Sequence, residues 1–479
     1  MSSVTITQEN VASVLANDQW VKVAGIDVDG VLRGKVISIK KFLSIVKSGF
    51  GFCSVIFGWD LHDKTYVKEL AISNQQNGYR DLLAIVDLTS FRRIPWESSG
   101  GNEGQDRMPF FLVYFTDSLT NDPIAPCPRS LLKTVSDKLK ADTEINALPY
   151  SGFELEFFQY KEDHDSLQTK GGIDLKPLTP GMFGYSLLRL GKNVPYQEDM
   201  LKTCTDLDIG LEGWHTETGP GVFETAIGYC PADRIADKAT LFKFVAKTVG
   251  AKYGIVPSFM AKPKQGLPGN SGHIHVSLLS NDEHKTNLFA RAEPDPNPEW
   301  EDLRHLSDLG RHFLAGVLEG MPYIMPLFAP TINSYKRLVE NFWAPVTVSW
   351  GLEHRIASIR LISAPLAEPK STRFEIRTPG ADVIPHYAIA AIFAMGMRGI
   401  KNKTKLTIPP MGTSSPDQFE RLPRNLRAAT EKFMAPDSLA REVFGDGFVD
   451  HYGATRLHEV QEWDEAVTNW EVQRYIEIV

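Results

Sequence analysis

The most informative segment of the chain is residues 262–278, which read KPKQGLPGNSGHIHVSL. Its first half is rich in glycine and proline and predicts a loop, whereas its second half alternates as a strand does. Alternate side chains of a strand share a face, so His273, His275 and Ser277 should lie together. Neutral imidazole binds divalent metals, and a glycine-rich loop offers backbone N–H groups to phosphate. The segment therefore predicts a metal and phosphate site, with a pair of purely structural histidines as the alternative.

Two segments rich in carboxylates accompany it. Residues 153–157 read FELEF, and alternation places both glutamates on one strand face with three apolar side chains on the other. Residues 211–225 read LEGWHTETGPGVFET, in which Glu217 and Glu224 flank a Gly-Pro-Gly turn and could meet at one end of a hairpin. Like charges side by side repel unless a cation lies between them. Each pattern is also typical of solvated acids on a half-buried strand or a loop.

Basic residues follow in a third region. Residues 373–377 read RFEIR, so two arginines and a glutamate should share one strand face, either at a site or in a cross-strand ladder of salt bridges. Residues 333–346 read NSYKRLVENFWAPV and predict a loop that carries Arg337. Arg355 and Arg360 follow this loop.

The combination is more specific than its parts. Several glutamates, one or two histidines and no thiolate suit hard cations such as Mg²⁺ or Mn²⁺. Arginines beside such cations neutralise a transferring phosphate and capture a carboxylate. The sequence lacks GxxxxGK[ST], GxGxxG and GxSxG, so a P-loop, a dinucleotide-binding turn and a nucleophile elbow are excluded. These residues predict a metal-dependent enzyme that uses ATP on an acidic small molecule.

The composition narrows the class of protein. The 479 residues are 42% hydrophobic and 23% charged, which predicts a folded chain of two or more domains. The net charge of −8 gives no global attraction to nucleic acid or to an anionic membrane. Four cysteines without a CxxC argue against a disulfide framework or a thiolate zinc site. No signal peptide is visible, and the most apolar segment, residues 388–397, is about half of the ~20 residues that span a bilayer. We expect a cytoplasmic protein without membrane or nucleic-acid partners.

The chain predicts an α+β protein of two domains. The first part of the chain shows strand patterns at residues 21–27, 31–39, 82–87 and 110–115. It also shows one short helix pattern at residues 41–47. Residues 120–130, TNDPIAPCPRS, hold three prolines and precede a helical pattern at 131–141, which places a boundary there. The predicted domains are residues 1–124 and 125–479. Further helices are predicted at residues 232–253, 300–319 and 384–400.

The order of these motifs along the chain, ExE, ExxxxxxE, KP…GHIHVS, NSYKRL and FEIR, resembles the glutamine synthetase family. The resemblance extends from the N-terminal part to about residue 399. It implies a β-grasp-like N-terminal domain and a C-terminal catalytic domain built on an antiparallel sheet. It also implies an active site between neighbouring subunits of a homo-oligomeric ring, usually two stacked hexamers. The implied reaction uses ATP to phosphorylate the side chain of glutamate, after which an amine displaces phosphate and forms an amide.

The resemblance also implies roles for single residues. The first divalent cation would be held by Glu156, Glu217 and Glu224, and the second by Glu154, His273 and Glu375. The positions that match nucleotide-binding residues are Glu212, Tyr229, His275, Ser277, Arg360 and Lys370. Arg337 and Arg377, beside the backbone of Gly269, match the clamp on the amino-acid substrate. Arg355 matches the residue that stabilises the transferred phosphate and, with Arg337, is the expected catalytic group.

The amine half of the site departs from the family pattern. Ammonia-using members carry a glutamate six residues after the arginine of NSYKRL, where this chain has Trp343. Their DGSS loop is replaced by FGWDLHDKTY at residues 57–66, although Asp60 or Asp63 could substitute. Pro268 stands where an asparagine is expected near the amino-acid site.

These departures predict an organic amine as the second substrate. A tryptophan accepts no proton, but its face binds a cation or an apolar amine. The alternative interpretation of Trp343 is an aromatic packing residue in a flap whose base comes from elsewhere. The competing functions are a glutamine synthetase that uses ammonia and a non-catalytic scaffold that forms rings.

Overall fold

A computed structural model describes residues 5–66, 68, 70–101, 107–340, 343–412 and 418–479. Two mixed β-sheets from different parts of the chain organise the molecule. Among the described residues, no helix is both long enough and apolar enough to cross a lipid bilayer.

The first sheet comes from the N-terminal part of the chain. Its strands are β1 (Trp20–Ile26), β2 (Leu32–Ser38), β3 (Phe50–Cys53), β4 (Asp81–Val86), β5 (Arg92–Ser98) and β6 (Arg107–Thr116). They are ordered β2–β1–β6–β4–β3, with β5 also paired to β6. β1 and β6 run parallel and the other described pairs are antiparallel. Two short helices belong to the same part of the chain: α1 (Val11–Val14) precedes β1, and α2 (Ile39–Ile45) lies between β2 and β3.

The second sheet carries the motifs identified in the sequence. Its strands are β7 (Ala147–Tyr160), β8 (Leu211–Thr216), β9 (Val222–Pro231), β10 (Val256–Ser258), β11 (Ile274–Ser280), β12 (Trp350–Leu352), β13 (Ile359–Ile362) and β14 (Arg373–Ile376). Their order is β12–β13–β14–β11–β7–β9–β8, and β10 also pairs with β7. The expected antiparallel sheet is confirmed except at β12 and β13, which run parallel.

Helices cover the second sheet and extend to the C-terminal end. They are α3 (Pro128–Ala141), α4 (His164–Lys170), α5 (Leu187–Leu190), α6 (Val194–Asp206), α7 (Ala232–Lys252), α8 (Asp308–Phe328), α9 (Ser334–Arg337), α10 (Pro385–Lys401), α11 (Leu426–Met434), α12 (Leu439–Phe444), α13 (Asp446–Glu465) and α14 (Asn469–Tyr475). The buried α10 packs against α8, α3 and α7. α8 and α10 approach closely where Gly316 faces Gly399. A Cβ added to Gly316 would lie 2.6 Å from the Cα of Gly399, so this approach requires glycine.

Strand β6 contributes side chains to two hydrophobic cores. Along β6, Phe111, Val113 and Phe115 belong to a smaller core of N-terminal residues, whereas Phe110 and Leu112 belong to the large core around the second sheet. Successive side chains of a strand point to opposite faces, so β6 joins both cores. The boundary between residues 124 and 125 stays a prediction.

Most predicted elements are present, and one helix was placed wrongly. The pattern at residues 300–319 predicts a single helix, but α8 begins at Asp308, where Ser307 caps it by accepting a hydrogen bond from the N–H of Gly310 at 3.0 Å. Glu301–Leu303 forms a separate 3₁₀ turn, and α8 continues through two prolines to Phe328. Proline ordinarily ends a helix, so the sequence pattern does not predict the part of α8 that follows residue 319.

Candidate active site

The carboxylates identified in the sequence gather on one face of the second sheet. β7 lies between β9 and β11, and Glu156 of β7 is directly opposite Glu224 of β9. On β8, His215 is in turn opposite Glu224. Opposed side chains of an antiparallel pair have Cβ atoms about 5 Å apart. Three neighbouring strands therefore bring titratable groups to one place.

Three of these side chains form a first cation group, His215, Glu217 and Glu224. One possible ligand atom from each lies within 4.8 Å of the others. Nε2 of His215 is 3.7 Å from Oε2 of Glu224. Glu156 lies beside this group, but its Oε2 accepts a hydrogen bond from the backbone N–H of Ser271 at 2.5 Å.

A second cation group is formed by Glu154, His275 and Glu375, whose ligand atoms also lie within 4.8 Å of one another. Nε2 of His275 is 3.1 Å from Oε1 of Glu154. His273 also reaches this group, because its Nδ1 is 3.2 Å from Glu154 and 3.4 Å from Glu375. Both histidines of the HIH segment therefore contact Glu154.

Electrostatic repulsion is strong around Glu224. Burial, and then the charges of Glu156, Glu154 and Glu217, raise the pKa of Glu224 to about 10. A carboxyl group with such a pKa is protonated at neutral pH unless a cation compensates its neighbours.

Glu154 and Glu375 behave in the opposite way. Burial acts to raise the pKa of Glu154, but hydrogen bonds to His273 and His275 outweigh it and hold this pKa well below its usual range. For Glu375, burial is likewise outweighed by the charges of His273 and Arg377, so its pKa is lowered. The face of the sheet therefore holds carboxylates with very different proton affinities.

This donor set fits divalent cations. Carboxylate oxygens with one or two imidazole nitrogens are ligands that Mg²⁺ and Mn²⁺ accept. Burial and the charges of three neighbouring carboxylates raise the pKa of Glu224, and a bound cation would favour its ionised form. The residues of both cation groups are therefore suited to hold a divalent cation each.

A ladder of salt bridges borders the second cation group. On β13, Nη1 of Arg360 is 2.9 Å from Oε2 of Glu375, and its Nε is 2.9 Å from Oε2 of Glu353. Arg377 also binds Glu375, and its Nε donates to the backbone oxygen of Arg355 at 2.9 Å. The cross-strand salt bridge expected of the RFEIR segment is therefore present beside the second cation group, and the part of this segment in a site stays a prediction.

The residues of the expected substrate clamp lie together. Arg337 is buried and donates to the backbone oxygens of Thr378 at 2.9 Å and Arg377 at 3.1 Å. A Cβ added to Gly269 would lie 2.8 Å from Cγ of Arg337, so glycine leaves room for the aliphatic part of this side chain. Burial lowers the pKa of Arg337 to about 10, opposed by the charge of Glu156. It remains a cation at neutral pH.

The family model that describes the glutamine synthetase catalytic domain matches residues 125–475. The chain belongs to the glutamine synthetase family. A type-1 glutamine synthetase 2 of Dictyostelium discoideum is 42% identical over 470 residues, which cover 97% of this chain and 85% of that relative. A glutamate–isopropylamine ligase of Pseudomonas sp. is 31% identical over 97% of this chain and 96% of its own length. A gamma-glutamylethanolamide synthetase of Streptomyces coelicolor is 31% identical over 94% and 91%.

The fold is also found in a solved structure. The GmaS/ADP complex superimposes with a TM-score of 0.78 at 24% identity, over 98% of this chain and 99% of that chain. Glutamine synthetase family members are ATP-dependent ligases that use divalent metals, and this chain is an ATP-dependent carbon–nitrogen ligase.

An open cavity of about 650 Å³ lies next to the second cation group. It is lined by Glu353, Arg360, Ile362, Leu366, Ala367, Glu368, Ser371 and Arg373. Nε of Arg373 donates to Nδ1 of His275 at 3.1 Å, which leaves Nε2 of His275 as the donor to Glu154. A hydrogen-bonded path thus joins this cavity to the cation group. In a glutamine synthetase family member, two arginines in such a cavity suit the phosphates of a nucleotide.

The other expected nucleotide-binding residues are less concentrated. The hydroxyls of Tyr229 and Ser277 are 2.5 Å apart, and the charge of Arg373, which lines the cavity, acts on Tyr229. Glu212 is exposed, and its carboxylate lies beside Gly228. Lys370 is exposed and pairs with Glu368 at 2.9 Å.

Two expected residues point into solvent. Arg355 is exposed, and its positive charge acts on Tyr185 near the first cation group. Trp343 keeps 69% of its surface accessible and has a left-handed backbone with φ of 60°. Trp343 is therefore not packed into the core of this chain, and both interpretations of it stay predictions.

The structure adds three residues that the sequence motifs did not single out. His215 could have been found, because it is two residues from Glu217 in the same segment. Arg373 belongs to the RFEIR segment, but no local pattern indicates its hydrogen bond to His275. Tyr185 has no local signal, since it reaches the site by stacking on His215, with ring centroids 4.5 Å apart, and by hydrogen bonding to Glu217.

Proposed function

We propose that this protein is a glutamate–amine ligase that forms a γ-glutamyl amide through a γ-glutamyl phosphate, with an organic amine as the acceptor. The observation that carries the choice of acceptor is Trp343, which stands where ammonia-using members have a glutamate. The other side chains of the site support the acid half of the reaction.

The acid half begins with the binding of glutamate. The buried guanidinium of Arg337 donates to the backbone oxygen of Arg377, and the aliphatic part of Arg337 packs on Gly269. Two buried arginines this close in the fold suit capture of an α-carboxylate. The site would hold divalent cations with Glu156, Glu217 and Glu224 and with Glu154, His273 and Glu375, and His215 and His275 lie within reach of the same groups. When bound, these cations neutralise the phosphates of ATP and the side-chain carboxylate of glutamate.

Phosphoryl transfer then activates glutamate. The γ-carboxylate oxygen attacks the γ-phosphorus of ATP, the bond to the β-phosphate oxygen breaks, and ADP leaves. Arg360 and Arg373 orient the nucleotide from the cavity, with Glu212, Tyr229, Ser277 and Lys370 around it. Arg355, exposed near the first cation group, stabilises the charge spread over the phosphoryl oxygens.

Amide formation follows because an acyl phosphate has a good leaving group. The amine nitrogen attacks the acyl carbon of γ-glutamyl phosphate, phosphate leaves with the electron pair of the C–O bond, and the nitrogen loses a proton. A small ammonium ion needs carboxylates around it to bind and lose a proton, whereas an organic amine also gains from apolar and cation–π contact. Trp343 offers the second kind of contact.

The segment at residues 57–66 supports the same choice. Asp60 accepts hydrogen bonds from the N–H groups of His62 at 2.8 Å and Lys64 at 3.0 Å, and its Oδ2 is 3.3 Å from Nε2 of His458. Asp63 binds Arg33, with Nη1 to Oδ1 at 2.7 Å. Both aspartates are thus engaged within their own chain, which disfavours them as ammonium ligands.

The relatives support two acceptors. The isopropylamine ligase and the ethanolamide synthetase are named for organic amines. The 42% identical relative is named a glutamine synthetase, which favours ammonia as the second candidate. A non-catalytic scaffold has less support, since a ring-forming scaffold has no use for two cation groups beside a buried arginine clamp.

The assembly and its location belong to the same proposal. We infer a cytoplasmic homo-oligomer of stacked hexameric rings, acting on glutamate, ATP and an amine with Mg²⁺ or Mn²⁺. The exposed positions of Trp343 and Arg355 are consistent with a site that a neighbouring subunit completes.

The experiment measures ATP-dependent phosphate release with Mg²⁺ and glutamate across ammonium, putrescine, spermidine, ethanolamine, isopropylamine and aniline, with the products identified by mass. Turnover with an organic amine well above that with ammonium is the expected result. Faster turnover with ammonium would make the protein a glutamine synthetase and contradict the role given to Trp343. ATP binding without turnover on any amine would favour the scaffold.

A further inference from the structure

A carboxylate outside both cation groups, Asp382, ties down the turn that presents Arg337. Its Oδ2 accepts hydrogen bonds from the hydroxyls of Ser334 at 2.5 Å and Thr331 at 3.0 Å. The N–H of Thr331 also donates to the hydroxyl of Ser334 at 2.9 Å. Since α9 begins at Ser334 and ends at Arg337, Asp382 fixes the first residue of the helix whose last residue is the clamp arginine.

The carboxylate of Asp382 lies in a covered position. Its Oδ1 is inaccessible to solvent, and no group among the described residues donates a hydrogen bond to it. Nζ of Lys243 donates to the backbone oxygen of Val383, the next residue, at 2.8 Å. Burial raises the pKa of Asp382, while the two hydroxyls and the charges of Lys243 and Arg337 favour its ionised form. Burial also lowers the pKa of Lys243 to about 7, opposed by the charge of Asp382.

A buried carboxylate such as Asp382 and a buried lysine such as Lys243 each destabilise the fold more than an apolar side chain would. A covered carboxylate oxygen without a donor costs free energy, and so does a lysine removed from water. The mechanism uses neither Asp382 nor Lys243, and both lie directly behind the clamp. Their position points to a role in the site rather than in folding.

Asp382 also touches the other side of the clamp. A Cβ added to Gly380 would lie 2.6 Å from Oδ1 of Asp382, so the backbone closes tightly over this oxygen. The N–H of Ala381 donates to the backbone oxygen of Asn270 at 3.1 Å, and Asn270 follows Gly269 in the loop against Arg337. Asp382 therefore lies between the two segments that form the glutamate clamp.

We infer that Asp382 is a positioning residue for the glutamate clamp: it holds the turn at residues 331–334 so that Arg337 meets the α-carboxylate. Lys243 holds Asp382 in place by its hydrogen bond to the backbone of Val383. The inference rests on the proposed role of Arg337 in binding glutamate. Asp382 acts on the affinity for glutamate and not on phosphoryl transfer, because it reaches the reaction only through Arg337.

The test is steady-state kinetics of phosphate release by the full-length enzyme with Mg²⁺, glutamate, ATP and its best amine. In Asp382→Asn, KM for glutamate rises about tenfold, the factor that loss of one charge-assisted hydrogen bond gives, while kcat and KM for ATP stay within about twofold. Ser334→Ala removes one donor and keeps the carboxylate. It gives a smaller rise of the same kind and serves if Asp382→Asn does not fold.

Lys243→Met tests whether Lys243 helps to hold Asp382 in place. It also raises KM for glutamate. The double variant with Asp382→Asn raises this KM by less than the product of the two single-variant factors, because the two groups act together. The matched control is a surface pair in which Nζ of Lys252 is 3.4 Å from Oδ2 of Asp199. Lys252→Met lies on the same helix as Lys243 and leaves KM for glutamate unchanged.

Four results would overturn the inference. One is a KM for glutamate that stays unchanged in both Asp382→Asn and Ser334→Ala, and another is a KM for ATP that rises as much as that for glutamate. If Arg337→Lys weakens glutamate binding while the Asp382 variant does not, the positioning role is wrong and the proposed function stands. If the parent enzyme shows no glutamate-dependent phosphate release, the proposed function fails and this inference fails with it.

Discussion

Replacing Glu224 by glutamine should stabilise the protein in the absence of divalent cations and abolish its ligase activity. In the cation-free state the pKa of this carboxyl is raised from 4.5 to about 10 by burial and by the surrounding carboxylates. Between these two values the folded state holds a proton that the unfolded chain has lost. The free energy of unfolding therefore decreases by about 1.4 kcal/mol for each unit by which the pH rises.

At pH 7.5 the difference from the ordinary value of 4.5 corresponds to about 4 kcal/mol. Because neighbouring carboxylates share the charge, we expect Glu224→Gln to recover between about 2 and 4 kcal/mol of this cost. Glutamine has the shape of the protonated acid and does not titrate. A bound cation removes the same repulsion in the parent protein but finds one ligand fewer in the variant.

The assay is thermal denaturation from pH 6 to pH 9, with EDTA and with Mg²⁺. With EDTA, the parent Tm falls as the pH rises, and Glu224→Gln melts higher with a flatter pH dependence. Mg²⁺ raises the parent Tm more than that of the variant. Glu283→Gln, at a side chain that is 88% exposed, is the matched control and follows the parent.

Two results would refute this reasoning. If Glu224→Gln with EDTA melts no higher than the parent, carboxylate repulsion does not destabilise the site. If the parent Tm is independent of pH in the same range, Glu224 does not hold the extra proton.

Three further changes test other parts of the molecule. Trp343→Glu should raise kcat/KM for ammonium relative to organic amines at least about tenfold, and Trp343→Phe should not; an unchanged ratio would remove Trp343 from the amine pocket. Gly269→Ala places a methyl 2.8 Å from Cγ of Arg337 and should raise KM for glutamate with little change in KM for ATP. Asp237→Asn breaks a buried pair with Arg129, at 2.8 Å, and should lower the free energy of unfolding by about 3–5 kcal/mol in urea denaturation.

The sequence predicts which side chains share a face of each strand that carries the candidate site. The alternation of FELEF predicts that Glu154 and Glu156 share a strand face, and that of HIH predicts the same for His273 and His275. The structure brings these two faces together, with Glu154 3.1 Å from His275. A strand period of two is a strong constraint, because apolar neighbours such as Leu155 must be buried.

The order of strands and the contacts between segments could not be read in the same way. Tyr185 and His215 are thirty residues apart and meet only because the loop before α5 folds back over β8. Glu156 was expected to face the first cation, and the hydrogen bond from Ser271 to one of its oxygens depends on the backbone path of a distant loop. Such contacts follow from topology, which local patterns do not encode.

The two halves of the site differ in how freely their residues can change. On the acid side, Arg337, Arg377 and Glu375 are buried and bind one another or the backbone. Removing one partner of a buried charged pair costs about 3–5 kcal/mol, so single substitutions there threaten the fold as well as glutamate binding. Trp343 is 69% exposed, and substitutions at exposed positions usually change stability by less than about 0.5 kcal/mol. A change of acceptor amine can therefore arise at Trp343 without disturbing the chemistry that activates glutamate.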